Sequence, residues 1–271
     1  MQPTARPRQS YFICTTPRTG SDMLCEVLTR TGVAGKPGEF FYPDRFPHFY
    51  EYFGVNTLET LIERVFVERT TPNGVFGAKM MTGGHLLPFI EQCRQLPAYQ
   101  GRPLAGHEIM ADLFPNLQYI FLTRRNKVRQ AISHWKAIES DVWHRTNQDL
   151  TASEADKSQS DLLREEQSSF PAPQFYFESI DHLVQDILLR EVVWQEYFDQ
   201  AGVAPLTVVY EDFVRAPEDT LCLMLDYLSI PIAEDWYLDD IANVKLADAT
   251  TEEWLQTYRQ LKQFGWDKKI W

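Results

Sequence analysis

Short apolar runs alternate with amphipathic stretches along most of the chain. Four runs have the length and the aromatic and β-branched content of buried strands: Tyr11–Thr15, Val75–Met81, Leu117–Leu122 and Leu206–Tyr210. Apolar residues at helical spacing predict helices at 21–31, 56–69, 84–95, 127–143, 179–200, 217–228 and 251–264. Strands separated by helices indicate an α/β fold with a central parallel sheet flanked by helices.

Two segments lack this pattern. Residues 33–55 are rich in Pro, Gly and aromatic residues, and they look too broken for regular structure. Residues 146–173 are polar and rich in Ser, Gln and Asp, a composition typical of a mobile loop or lid rather than a domain boundary. We therefore expect residues 1–271 to form a single domain with a lid.

Charge is distributed unevenly along the chain. The net charge of −12 disfavours a general nucleic-acid binder. Residues 1–135 nevertheless carry 15 Lys and Arg against 11 Asp and Glu, whereas residues 136–271 carry 11 against 27. An anionic small molecule should therefore bind mainly to the first half. In parallel α/β sheets such ligands bind outside the carboxyl ends of the strands, which indicates the loops 15–21, 82–84 and 123–126.

Several classes of protein are disfavoured by what the sequence lacks. No stretch approaches 18 uninterrupted apolar residues, so no membrane span is predicted. The first residues have no apolar run long enough for a signal peptide, and we expect a cytoplasmic protein. The four cysteines and six histidines form no metal-binding signature, so no metal is expected.

The first candidate for chemistry is the loop Pro17–Asp22, between a strand and a helix. Its backbone N–H groups and the helix N-terminus can converge on an anion. Gly20 allows close backbone approach, while Arg18 and Ser21 offer a forked cation and a hydroxyl; Ser21 is also the expected N-cap. The alternative is a plain strand-to-helix turn.

The second candidate follows the third strand. Arg124 and Arg125 end that strand, and Ser133 lies eight or nine residues later on the next helix. An arginine at a strand end and a serine two turns along a helix can hold one phosphate. The alternative is a solvated basic face.

The third candidate is Glu39, preceded by Gly38 and followed by Phe40 and Phe41. An apolar setting partly desolvates a carboxylate and makes it a stronger general base. A solvated loop residue is the alternative. The aromatic residues of 40–53 suit a sugar ring, and they equally suit a loop packed on the core.

Together these residues resemble sulfotransferases that use 3′-phosphoadenosine 5′-phosphosulfate. The stretch YFICTTPRTGSDMLCEVL resembles their 5′-phosphosulfate loop, and the Arg…Ser segment resembles their 3′-phosphate loop. More narrowly, the chain resembles the bacterial trehalose 2-sulfotransferase family through PRTGS at 17–21, AGKPGEFF at 34–41, PNGVFGAKMM at 72–81, RQAISHWKA at 129–137 and EEWLQTYR at 252–259. The resemblance implies a P-loop-kinase-like sulfotransferase fold.

The resemblance also implies roles for individual residues. Arg18, Thr19, Gly20 and Ser21 fall on the 5′-phosphosulfate loop, and Glu39 falls on the glutamate regarded as the catalytic base. Arg18 would stabilise charge on the bridging oxygen.

For the 3′-phosphate, Arg124 and Ser133 match the family contacts, but Arg125 has the eight-residue spacing of cytosolic sulfotransferases, so the choice of arginine stays open. The segment Tyr210-Glu211-Asp212 resembles a strand-end element with a structural role.

The function implied is sulfuryl transfer from 3′-phosphoadenosine 5′-phosphosulfate to a carbohydrate or glycolipid hydroxyl, in a homodimer and without a metal. A nucleotide or small-molecule kinase is one alternative, but the GxxxxGK[ST] motif is absent at 15–22. A non-catalytic nucleotide-binding protein is another, although such a protein has no need of a base at Glu39.

Overall fold

The computed structural model describes residues 6–140, 173–233, 236 and 249–268. Within them lies one sheet with the order β2-β1-β3-β4, in which every neighbouring pair is parallel. Its strands are β1 (Gln9–Thr15), β2 (Val75–Met81), β3 (Leu117–Thr123) and β4 (Leu206–Val209). The four predicted strands and the α/β class with a central parallel sheet are confirmed.

The register aligns the ends of the strands. Thr15 at the end of β1 pairs with Met81 at the end of β2, and Thr123 at the end of β3 pairs with Val209 at the end of β4. Because the strands are parallel, the loops that follow all four start at one edge of the sheet. This is the edge at which the sequence predicts a ligand site.

The helices follow the predicted pattern with three exceptions. The helices of the described residues are α1 (Ser21–Arg30), α2 (Phe46–Phe53), α3 (Leu58–Arg69), α4 (Leu86–Arg94), α5 (Gly106–Leu113), α6 (Lys127–Ser140), α7 (Phe177–Ala201), α8 (Tyr210–Arg215), α9 (Pro217–Tyr227) and α10 (Ala249–Lys262). The short helix α8 was not predicted, and neither was α5. Its buried residues, Ile109, Met110 and Leu113, occupy about one turn and a half, which is too short for a clear periodic signal.

The expectation of irregular structure throughout 33–55 is wrong. A 3₁₀ turn at Pro43–Arg45 leads directly into α2. Phe46 and Phe53 are buried seven residues apart on one face of α2, a helical spacing that the dense aromatic composition concealed. Pro47 lies in the first turn, where a proline is tolerated, and Gly54 ends the helix with a φ of 63°.

The described residues within 1–125 and 188–239 form one compact unit, and those within 126–187 and 240–271 form the other. The first unit contains the sheet and an aromatic core, in which Phe41 stacks on Phe89 at 4.7 Å and meets Phe114 edge to face at 5.4 Å. The second has its own apolar cluster, which includes Ile132 and Leu255.

The prediction of a single domain stays a prediction, and the predicted lid at 146–173 lies outside the described residues except for Pro173. In the part of the chain that the structure describes, no helix combines the length and the apolar character needed to cross a membrane.

Candidate active site

The loop after β1 turns into α1 through left-handed backbone. Arg18 has a φ of 64° and Gly20 a φ of 84°. Gly20 is the N-cap of α1 and Ser21 is its first helical residue, so the expectation of Ser21 as N-cap is wrong. The left-handed cap position favours glycine over serine because it costs glycine no steric strain. The unbonded N–H groups of the first turn of α1 therefore follow the loop directly.

Hydroxyl groups anchor this loop to the sheet from inside. The hydroxyl oxygen of Thr15 lies 2.5 Å from that of Thr19 and 3.0 Å from the carbonyl oxygen of Leu122. The indole N–H of Trp194 donates to the carbonyl oxygen of Thr15 at 2.9 Å. Thr19 is fully buried, so its side chain shapes the loop from within.

A tyrosine that follows β4, a strand at the edge of the sheet, packs against the same loop. A Cβ at Gly20 would lie 2.5 Å from Cδ2 and Cε2 of Tyr210. β4 ends at Val209, one residue before its predicted end, and Tyr210 is the first residue of α8. The guanidinium of Arg124 lies 4.7 Å from the centre of the Tyr210 ring, and its Nη1 donates to the carbonyl oxygen of Arg18 at 3.4 Å.

The two neighbouring arginines have different surroundings. The Arg124 side chain is 14% exposed, and its Nε lies 3.7 Å from Oε1 of Glu211. The Arg125 side chain is 57% exposed and forms an ion pair of 2.7 Å with Asp212. Of these two arginines, Arg124 is therefore the one that contacts the loop after β1 within the first unit. Ser133 is half-buried on α6 in the second unit, so its pairing with either arginine stays a prediction.

Glu39 lies in a network that the sequence analysis did not identify. The Nζ of Lys79 lies 2.8 Å from Oε2 of Glu39 and 2.5 Å from Oδ1 of Asp22. The Nε2 of His85 lies 3.3 Å from Oε1 of Glu39. The apolar setting expected for Glu39 is thus only part of its surroundings, because its carboxylate contacts a buried cation. The available signal was the lysine in the apolar strand VFGAKMM.

The charges in this network follow from burial and proximity. Burial alone would lower the pKa of Lys79, but the carboxylates of Asp22 and Glu39 outweigh it and raise that pKa above its usual value. Lys79 is therefore an ammonium ion at neutral pH. Burial lowers the pKa of His85 against the opposing influence of Glu39, so its imidazole is neutral at pH 7. Burial also raises the pKa of the nearby Cys25 thiol to about 12, which leaves it protonated.

The aromatic residues beyond Glu39 divide between the core and the site. Phe40 and Phe41 are buried in the core of the first unit. Tyr42 instead stacks on the imidazole of His85, with ring centres 4.1 Å apart and planes inclined by 15°. Tyr42, one of the aromatic residues predicted for a sugar site, therefore contacts a neighbour of Glu39.

Residues 6–140, 173–233 and 249–268 hold no group of three His, Cys, Asp or Glu arranged to bind a metal ion. The loop after β1 offers backbone amides and the guanidinium of Arg18 to an anion, and Glu39 offers a carboxylate oxygen to a proton.

Known proteins match most of this chain. A family model described as Stf0 sulphotransferase matches residues 10–261. A trehalose 2-sulfotransferase of Mycobacterium tuberculosis is 25% identical over 94% of this chain and 96% of that protein. A trehalose 2-sulfotransferase of Mycolicibacterium smegmatis is 26% identical over 93% of this chain and 94% of that protein.

Among solved structures, a sulfotransferase from Alicyclobacillus acidocaldarius is 15% identical with a TM-score of 0.49, over 94% of this chain and 91% of that one. The family model runs from β1 to α10 and includes the loop after β1, Glu39, Lys79 and both arginines. Because the match covers nearly the whole chain rather than one motif, the chain belongs to the Stf0 sulphotransferase family.

Proposed function

We propose that this sulfotransferase moves the sulfuryl group of 3′-phosphoadenosine 5′-phosphosulfate to a hydroxyl of a carbohydrate or glycolipid by in-line displacement. One observation carries the proposal. The ammonium of Lys79 lies within 2.8 Å of Glu39 and of Asp22 in the first turn of α1, so a candidate base adjoins the helix that follows the candidate anion loop. The names of the two mycobacterial relatives support a trehalose-like acceptor.

The donor is held by the loop that includes residues 18–21. Its N–H groups and the start of α1 bind the 5′-phosphosulfate, because a helix N-terminus attracts anions. Arg18 stabilises the charge that develops on the oxygen between phosphorus and sulfur as their bridge breaks. The side chain of Thr19 contributes by holding the loop to Thr15.

The 3′-phosphate distinguishes this donor from ATP. Arg124 binds it, supported by the position of Arg124 over Tyr210 and beside Arg18, and Ser133 adds a hydroxyl. Arg125 is held by Asp212 and serves the structure instead. Charge-assisted hydrogen bonds of this kind contribute about 1.5–3 kcal/mol each.

Glu39 removes the proton of the acceptor hydroxyl while that oxygen attacks sulfur. The new O–S bond forms as the bond from sulfur to the bridging oxygen breaks, and 3′-phosphoadenosine 5′-phosphate leaves. The proton remains on Glu39 until solvent takes it. Tyr42 offers an aromatic face beside this carboxylate, which suits the apolar face of a sugar ring.

The experiment compares nucleotides by calorimetry. We expect 3′-phosphoadenosine 5′-phosphate to bind at least tenfold more tightly than AMP, since one charge-assisted hydrogen bond is worth about that factor. Equal affinities would overturn the assignment of the 3′-phosphate site. We also expect sulfate transfer to trehalose or a glycolipid to proceed in EDTA, and a requirement for a divalent metal would contradict the proposed mechanism.

We also propose a homodimer, as the resemblance to the family implies, and a cytoplasmic location. Sedimentation of the purified protein at micromolar concentration tests the dimer, and cell fractionation tests the location.

A further inference from the structure

We propose that Lys79 is a positioning residue that fixes the carboxylate of Glu39 and ties it to the helix that follows the donor loop. The inference rests on the proposed function, in which Glu39 is the general base. Lys79 itself touches neither donor nor acceptor in this proposal. It acts through Glu39.

Lys79 holds the segment around Glu39 at two points. Its main-chain N–H donates to the carbonyl oxygen of Gly38 at 2.8 Å, so β2 fixes the peptide next to Glu39. Its ammonium then contacts Oε2 of Glu39 at 2.8 Å. A residue in a regular strand thereby sets both the backbone and the side chain of a residue in an irregular loop.

The same ammonium connects Glu39 to α1. Lys79 reaches Oδ1 of Asp22 at 2.5 Å, and Asp22 is the second residue of the helix that starts beside Gly20. One cation therefore spans the donor loop's helix and the candidate base. The two oxygens of Glu39 have different partners, because Lys79 contacts Oε2 while Oε1 lies 3.3 Å from Nε2 of His85, the ring on which Tyr42 stacks. Oε1 is thus the oxygen that would meet the acceptor proton.

Stability alone does not account for a lysine at this position. The Lys79 side chain is 4% exposed in a strand that is otherwise apolar. Burying an ammonium costs several kcal/mol, and well-packed apolar residues often replace a buried ion pair without loss of stability. A cation that is costly to bury and that contacts two carboxylates at the candidate site indicates a functional role.

Other titratable or charged groups lie around Glu39. Electrostatic interactions link it to Cys25 on α1, Tyr42 before α2, Lys79 on β2 and His85 before α4. Asp22 contacts Lys79, and Arg45 and Arg190 act on His85. Lys79 contacts the Glu39 carboxylate directly.

The test compares Lys79→Met with the natural protein and with Lys36→Met, an exposed lysine in the same loop as Glu39. We expect Lys79→Met to lower kcat roughly 10–100-fold through misplacement of the base. The affinity for 3′-phosphoadenosine 5′-phosphate should stay nearly unchanged. Lys36→Met should change none of these values.

The Glu39→Gln background separates this inference from the proposed function. There, Lys79→Met should cause little further loss of the residual activity, since both changes act on one group. An equal loss in both backgrounds, or an unchanged kcat in Lys79→Met, would overturn the role of Lys79. A fully active Glu39→Gln enzyme would instead overturn the base. If Lys79→Met fails to fold, Lys79→Gln tests the charge by the same measurements.

Discussion

Gly20 lies directly against the ring of Tyr210, although the two residues are 190 positions apart in the sequence. A Cβ at position 20 would come within 2.5 Å of two ring carbons, and the backbone there has a φ of 84°. Both facts require glycine at this point of the loop after β1. The contact also brings the residue that follows β4 to this loop, where Arg124 lies over the Tyr210 ring and donates to the carbonyl oxygen of Arg18.

Replacing Gly20 by alanine should therefore destabilise the protein more than an equivalent change elsewhere. Gly32 is the matched control, because its φ is 68° and no described atom lies within 4 Å of its potential Cβ. We expect Gly32→Ala to cost about 1–2 kcal/mol of backbone strain, and Gly20→Ala to add about 1–3 kcal/mol of overpacking. Urea denaturation measures both, and equal costs would show that Tyr210 yields to the new methyl group.

Arg124 and Arg125 offer a paired test of the 3′-phosphate site. Arg124→Ala should weaken binding of 3′-phosphoadenosine 5′-phosphate by about 1.5–3 kcal/mol, since a charge-assisted hydrogen bond is lost. Arg125→Ala removes an exposed ion pair with Asp212, which is worth about 0–1 kcal/mol to stability, and should leave nucleotide affinity nearly unchanged. Calorimetry measures these affinities, and AMP as a second ligand shows whether the loss depends on the 3′-phosphate. If Arg125→Ala weakens binding more than Arg124→Ala does, Arg125 is the residue that holds the 3′-phosphate.

Arg18→Ala should lower turnover more than it weakens donor binding. Charge on the bridging oxygen grows toward the transition state, so an interaction with that oxygen appears mainly in kcat. Steady-state kinetics and calorimetry separate the two quantities. Unchanged turnover with reduced donor affinity would make Arg18 a binding residue.

Glu39→Gln keeps the shape of the side chain and removes its basicity. Turnover should fall by about 10²–10⁴-fold, the usual contribution of a general base, while nucleotide affinity stays nearly intact. Glu51→Gln, an exposed change on α2, is the control and should have no effect. A nearly fully active Glu39→Gln enzyme would direct the search for the base to His85 or His134.

His85 should contribute to the loss of stability in mild acid. Burial lowers its pKa in the folded protein, whereas the unfolded chain binds the proton below about pH 6.5. The folded state is therefore favoured above pH 6.5, and this contribution is lost as the pH falls from there through the lower folded pKa.

The fall in Tm between pH 6.5 and 5 should accordingly be shallower in His85→Gln than in His48→Gln, in which an exposed imidazole is lost. Identical slopes would show that His85 takes up its proton equally in both states.

The sequence by itself was sufficient to predict the strands and helices that follow a local pattern of apolar residues. The four strands, and most of the helices, follow from apolar runs and helical spacing, because neighbouring residues in the chain determine them. The strand-to-helix loop at 18–21 could be predicted for the same reason, since a strand, a glycine-containing turn and a helix are consecutive. Helix α2 was missed because its aromatic residues are so dense that the spacing of the buried ones does not stand out.

The tertiary structure decided which distant residues meet. Nothing local in the sequence indicates that Lys79 would contact both Asp22, 57 residues earlier, and Glu39. That contact arises because β1 and β2 pair in parallel and bring the helix after one strand to the side chains of the other. The different surroundings of Arg124 and Arg125 likewise arise from α8, whose first residues place a ring against one guanidinium and a carboxylate against the other. Adjacent residues of identical chemistry can be distinguished only by the elements that pack against them.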